Sequence, residues 1–323
     1  MFSKEDVLFE CVPNFSEGRN IHIINCIADE IKNTPDVALL NTDMGYDANR
    51  TVFTFAGKPD AIIQAGFKAV KKAYELIDMR VQNGSHLRMG ACDVFPIIPL
   101  QNCTIQDAVL LSQTLGKKIG DKLDIPVYLY EQSASIASRK NLADLRKGEY
   151  ESIAGKIYLP EWKPDFGKPI FNEKFGMMAL GARDFLIAYN INLNTQEEHI
   201  AKTIAAKIRS IRNTDLPFPF QFVKAIGWYQ EAFLCAQVSM NITQIYESKI
   251  LDVFRAVQKL AEDDGVSVNG SELIGLIPLQ ALYYPNMSVS EVINELGLNS
   301  VKPFSPDENI LEIKLGLSDG HPA

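Results

Sequence analysis

Apolar positions along this chain recur with two periods, three to four residues in some stretches and two in others, and the switches between them mark out its elements. From Gln196 to Arg212, Ile200, Ile204, Ile208 and Ile211 fall on one helix face while Lys and Arg fill the other. Thr195 and Glu198 predict a capping box at its start. Just ahead, DFLIAYNINL (184–193) is β-rich and too apolar for an exposed segment, which predicts a buried strand. After the helix, QFVKAIGWY (221–229) and FLCAQVSM (233–240) read as a hairpin or close pair of strands. A second helix carries Ile250, Phe254, Val257 and Ala261, and LIGLIPL (273–279), bounded by Asn269-Gly270 and Pro278, supplies a last strand. The order is β-α-β-β-α-β.

The first half repeats it. DVLFECV (6–12) is a strand, 22–31 a helix, DVALLNT (36–42) and TVFTFAG (51–57) strands, 60–77 a helix and DVFPIIPL (93–100) a strand, extended by a helix over 104–123 and a strand at 125–130. Two such strings predict an α+β protein of duplicated ferredoxin-like units, mainly antiparallel sheets with helices on one side. Residues 1–180 would form one subdomain and 181–323 the other. Residues 142–181, rich in Pro, Gly and Lys, read as a linker able to cover a ligand.

Charge narrows the partners. Lys and Arg number 32 against 40 Asp and Glu, a net charge of −8 with no basic run, which argues against nucleic acid. No apolar stretch is long enough to cross a bilayer, and the N-terminus lacks a signal-peptide pattern, so a cytoplasmic protein is expected. Five cysteines without a C-x-x-C pair read as reduced thiols, and four histidines without metal-ligand spacing give no zinc site. Glycine-rich phosphate loops and a serine nucleophile elbow are both missing.

His86 is the remaining candidate for proton transfer, in the polar loop SHLRMG between Gly84 and Gly90 and two residues before Arg88. Its alternative is an ordinary solvated loop histidine; His22 and His199, on helix faces, and His321, in the tail, read as surface residues. Asp43 ends a predicted strand, and Asn49, Arg50 and Thr51 close the turn to the next, which suits either turn chemistry or a carboxylate and guanidinium at a strand end. Arg183 could pair with a local acid or read an anion. Gln237, Ser239 and Asn241 alternate with Ala236, Val238 and Met240, so one strand face is polar, facing either solvent or a heterocyclic ligand.

These segments resemble the formiminotransferase domain of histidine degradation. The resemblance rests on ECVPNFSEGRN (10–20), LLNTDMGYDANRTVFTF (39–55), SHLRMGACDVFPIIPL (85–100), PDFG (164–167), GARDFLIAYNINL (181–193), IGWY (226–229), AQVSMN (236–241) and GSELIGLIPL (270–279), in order along nearly the whole chain. It implies transfer of a formimino group from N-formimino-glutamate to tetrahydrofolate, a co-substrate held between the two sheets, with no metal. His86 and Asp43 would be catalytic; Asn49, Arg50, Arg88, Gly90 and Arg183 would bind the donor. Two stretches, Gly167 to Gly176 and Gly227 to Ser239 with Trp228 and Gln237, would contact folate, as would Asn241. A homodimer is implied, with any cyclodeaminase step on a separate protein. Leu87 stands where the family has Pro, and GKPIFNEKFG (167–176) departs from its usual interior. Two other readings fit the same residues: formyl transfer between 5-formyl-tetrahydrofolate and glutamate, and a non-catalytic folate-binding protein.

Overall fold

The computed structural model describes residues 2–210 and 220–318, and its contacts divide the chain into two compact units, Ser3–Arg183 and Asp184–Ala323. Ile211, Arg212 and His321 lie outside the described residues.

In the first unit β1 (Leu8–Cys11) breaks at Val12-Pro13, where proline has no N–H to pair, and resumes as β2 (Asn14–Phe15). There follow α1 (Ile21–Lys32), β3 (Val37–Gly45), β4 (Arg50–Gly57), α2 (Pro59–Leu76), β5 (Cys92–Gln101), α3 (Ile105–Leu123), β6 (Val127–Leu129), the single turns α4 (Leu142–Leu145) and α5 (Ile153–Lys156), and β7 (Met178–Ala182). The sheet runs β3–β4–β1/β2–β5–β7–β6; the pairings from β3 to β5 are antiparallel, and β7 is parallel to both β5 and β6.

Alternation sorts its two faces. Phe9, Cys11, Phe15, Phe53, Phe55, Phe95 and Ile97 lie under α1, α2 and α3, which contribute Ile24, Ile27 and Ile31, Ile62 and Ala69, and Leu115 and Ile119. Each large apolar side chain so buried stabilises the fold by roughly 1.5–3 kcal/mol. Asn20 starts α1 by accepting the His22 and Ile23 amides. The other face of β4 carries Arg50, Val52 and Thr54, with Asn41 and Asp43 of β3 paired to Thr54 and Val52.

The stretch expected to be a linker belongs to the first unit. Leu145, Ile153 and Ile157 pack with Val94, Tyr128, Tyr130, Met177 and Ala179 on the face opposite the helices, and Tyr128 donates to Trp162 O at 2.6 Å. β7 begins inside that stretch and ends one residue beyond it. Its sequence, MALGA, has no β-branched residue and no polar alternation, so nothing local marked it as a strand; its parallel neighbours do.

The second unit runs β8 (Ile187–Leu193), α6 (Glu198–Ser210), β9 (Val223–Gln230), β10 (Cys235–Ile242), α7 (Ile250–Asp263), β11 (Val268–Ile274) and α8 (Val289–Glu295). Its sheet is antiparallel in the order β11–β8–β10–β9. Tyr189, Ile191, Val238 and Met240 pack against Ile204 and Ile208 of α6 and Val253 and Val257 of α7. At the start of α6, Thr195 Oγ1 holds the Glu197 amide at 3.1 Å. The last strand sits earlier than the apolar run suggested: Asn269 and Gly270 are inside β11, at a bulge where Gly270 has φ 139°, and the chain leaves the sheet by Gly275 with φ 82°. Ile277 and Leu279 are apolar because they enter the core beyond the strand.

Gly227 illustrates how closely α6 lies on this sheet. A Cβ there would come within 2.2 Å of the Ala201 and Lys202 backbone. Gly227→Ala is therefore expected to destabilise the protein by about 1–3 kcal/mol in urea denaturation; an unchanged midpoint would show that α6 can move away.

Candidate active site

Three connections of the first unit are tied together: the segment after β2, the turn between β3 and β4, and the loop between α2 and β5. Asn49, with φ 47°, is their knot. Its Oδ1 accepts the Gly18 amide at 2.9 Å, its Nδ2 donates to Asn83 O at 2.8 Å, and its carbonyl accepts from Gln82 Nε2 at 3.0 Å. The Ser85 amide donates to Asp47 O at 3.0 Å. A Cβ on Gly84 would sit 2.2 Å from Ala48 O, so only glycine allows this approach.

That knot presents His86. Its Nδ1 lies 2.7 Å from Leu87 O, and because a carbonyl can only accept, Nδ1 carries the proton of the neutral ring. Nε2 is left with its lone pair and makes no hydrogen bond among the described residues. Arg50 Nη1 stands 3.3 Å from Nδ1. The residue is exposed, yet its inner edge is turned against Arg50. Loss of hydration first, and the Arg50 cation second, push the imidazole down to about 4, and water on the outer edge offsets part of the first effect.

Behind Arg50 is the fully buried Asp93. Its Oδ2 accepts Arg50 Nη1 at 2.8 Å and Arg146 Nη2 at 2.5 Å, and its Oδ1 accepts the Met89 amide at 2.8 Å. Burial would raise its pKa, but the Arg146 and Arg50 cations outweigh it and hold the carboxyl at about 2. Arg50 also donates through Nε to Asn14 Oδ1 at 2.9 Å. Two guanidinium groups thus share one carboxylate beside His86.

Arg88 points elsewhere. It bonds Glu149 at 3.0 Å, Glu151 at 2.6 Å and 2.9 Å, and Gln82 at 3.0 Å, which anchors the His86 loop to the 149–151 segment. Gly90 and Gly176 form a backbone clasp: each Cβ would lie 2.2 Å from a carbonyl, of Met177 and Met89 respectively. Gly167, with φ 81°, approaches Ile125 O in the same way. Arg183 follows β7, where its amide donates to Ile97 O at 3.2 Å. Burial raises its neighbour Tyr130 to about 12 against the pull of Arg183. Asp43 sits mid-strand on the same face as Arg50 and makes no hydrogen bond or ion pair among the described residues.

In the second unit Gln237, Ser239 and Asn241 share the face away from the helices with Trp228 of β9. Trp228 Nε1 donates to Gln237 Oε1 at 2.7 Å, and Gln237 Nε2 donates to Asn192 Oδ1 at 2.7 Å. Asn190 donates to Glu272 at 3.4 Å on that face. Gly227 faces α6 instead.

Asp93, Arg146, Asn14, Asn190, Asn192 and Glu272 were not singled out from the sequence. Asp93 had a signal, a lone carboxylate inside the apolar run CDVFPIIPL, where a buried charge requires partners. Asn190 and Asn192 had one in their alternation through IAYNINL; Arg146 had none. Among the described residues, no group of three or more His, Cys, Asp or Glu side chains could hold a metal ion, and no helix is long and apolar enough to cross a membrane.

The cluster thus joins an imidazole with one unbonded nitrogen to two guanidinium groups that share a single carboxylate. Two family models match the chain: the N-terminal subdomain of the formiminotransferase domain over residues 8–183, and the formiminotransferase domain over residues 188–316. This chain belongs to the formiminotransferase family. It is 41% identical over 277 residues to glutamate formimidoyltransferase of Thermoplasma acidophilum, covering 85% of this chain and 89% of that protein. Identity to the protein of the same name from Streptococcus pyogenes serotype M1 is 40% over 275 residues, 85% and 90% of the two chains. With formimidoyltransferase-cyclodeaminase of Dictyostelium discoideum it is 40% over 322 residues, covering 94% of this chain but 60% of that one. The chain thus spans about three fifths of the length of such cyclodeaminase-bearing relatives.

Proposed function

We propose that this protein transfers the formimino group of N-formimino-L-glutamate to tetrahydrofolate, giving 5-formimino-tetrahydrofolate and L-glutamate. The observation that carries the reading is the His86 ring, with Nδ1–H fixed on Leu87 O and Nε2 free. A folate ring nitrogen attacks the formimidoyl carbon, forming a C–N bond; His86 Nε2 takes the proton of that nitrogen and returns it to the glutamate nitrogen as the original C–N bond breaks. Asp43, on the face shared with Arg50, stabilises the positive charge that develops on the attacking folate nitrogen before its proton leaves. Arg88 positions the histidine loop and does not bind the donor, because its guanidinium is already engaged by Glu149, Glu151 and Gln82.

The amide and hydroxyl row of Gln237, Ser239 and Asn241, with the Trp228 ring, fits a pteridine, whose edge presents alternating donors and acceptors. The strand orders β3–β4–β1/β2–β5 and β11–β8–β10–β9 support reading both units as one duplicated ferredoxin-like design, with a subdomain boundary near residue 183. An absorbance assay with formimino-glutamate and tetrahydrofolate tests the activity, and formyl-glutamate run beside it tests the donor. Faster turnover of the formyl donor would reassign the reaction, and tight folate binding without any transfer would refute it.

A further inference from the structure

The ion-paired cluster beside His86 carries one more positive charge than negative, and Asp43, on the same sheet face, makes no ion pair with it among the described residues. Asp93 supplies one carboxylate, while Arg50 and Arg146 supply two guanidinium groups, and Arg88 is separately neutralised. Arg50 uses Nε and Nη1 for its bonds, and Arg146 uses Nε and Nη2. Arg50 Nη2 and Arg146 Nη1 therefore have no hydrogen-bond partner among the described residues. Among the described residues every buried side-chain nitrogen is partnered, so these two are not sealed from solvent. Both belong to side chains locked in place at their other end by a carboxylate, which is the preorganisation an anion receptor needs.

After loss of hydration, the Arg50 cation is what most weakens His86 as a base, and its Nη1 stands 3.3 Å from the ring. The groups that bear on its ring are Arg50 from β4, Arg146 from the turn after α4, Asp93 from β5 and its neighbour's carbonyl, Leu87 O. Without a further anion the ring is a weak base, whereas a general base works best with a pKa near the operating pH. We propose that Arg50 Nη2 and Arg146 Nη1 seat a carboxylate of the glutamate donor, and that docking of this carboxylate is what arms His86 as the base. Donor binding then supplies the missing negative charge, and the free protein keeps its histidine unreactive until the substrate is present. The proposal rests on the donor reading above and adds which residues take the carboxylate and what that contact does.

The test uses glutarate, which has the donor's two carboxylates and no transferable group. His86 is titrated by NMR in the whole protein, with and without glutarate, and with glutaramide as the uncharged control. An anion within about 4–6 Å is expected to raise the His86 midpoint by about 1–2 pH units, while glutaramide leaves it in place. In Arg146→Met the increment caused by glutarate should shrink to under half. Arg146→Lys, which keeps the charge toward Asp93 and removes the free edge, should show the same reduced increment if the methionine variant does not fold. In kinetics, the acid limb of kcat/KM, which reports the free enzyme, should lie below that of kcat, which reports the bound one. A His86 midpoint unmoved by glutarate, at concentrations where glutarate inhibits formimino transfer, overturns the inference and leaves the transfer reading standing. Loss of the transfer reading itself would be recognised separately, by wild-type protein that turns over no formimino donor.

Discussion

His86→Asn is expected to lower kcat for formimino transfer by about 10²–10⁴, with the KM for tetrahydrofolate changed little. Asparagine can still donate an N–H to Leu87 O, so the loop has a replacement for that bond, but an amide has no lone pair able to take and return a proton near neutral pH. The split between kcat and KM separates this loss from a folding defect, which would reduce active enzyme and folate binding together. Near wild-type turnover by His86→Asn would remove the imidazole from the chemistry and leave the electrostatic cluster without a reactive group to serve.

The second large effect concerns the carboxylate behind it. Asp93→Asn should destabilise the protein by about 3–5 kcal/mol, because it removes the buried anion that holds the buried Arg50 and the half-buried Arg146. The loss is read as a lowered urea midpoint. pH provides a check with a definite sign. The folded-state carboxyl, at about 2, lies below the ordinary aspartate value of about 3.9, so its contribution is present above pH 3.9 and disappears as pH falls toward 2. Wild-type stability should fall across that window, and the Asp93→Asn variant should lack this part of the slope. A variant within about 1 kcal/mol of wild type would mean that water, not Asp93, accommodates Arg50 and Arg146. Because Arg50 touches both Asp93 and His86, the variant should also lose turnover, in keeping with a site whose parts are coupled.

The family to which the chain belongs and the geometry of the cluster bear on different questions. Membership says which transformation to assay. The cluster says why an imidazole exposed on a loop is held in one tautomer, and why glycines at 84, 90 and 176 are needed close to it: three backbone approaches there leave no space for a Cβ. The Leu87 carbonyl itself fixes Nδ1 of the ring.

The chain's own periodicities determined most of the elements, because a helix stripe or an alternating strand is a local property that survives whatever it packs against. They identified the helices at 22–31, 60–77, 104–123 and 250–261 to within a few residues, and the polar face of Gln237, Ser239 and Asn241 as well. They failed where local pattern and environment part: at β7, buried among parallel neighbours without a distinctive composition, and at β11, where the apolar run outlasts the strand. Pattern also singled out His86 and Arg50 as candidates but could not bring them together. Arg50 and Asp93 are 43 positions apart and Asp93 and Arg146 are 53, and nothing local to any of the three specifies the others. Only the folded chain decides which buried charges meet, since their energy depends on distance and on the water excluded around them. Arg146 lay in a stretch that read as a linker, and the Glu149 and Glu151 partners of Arg88 lie more than 60 positions along the chain from it.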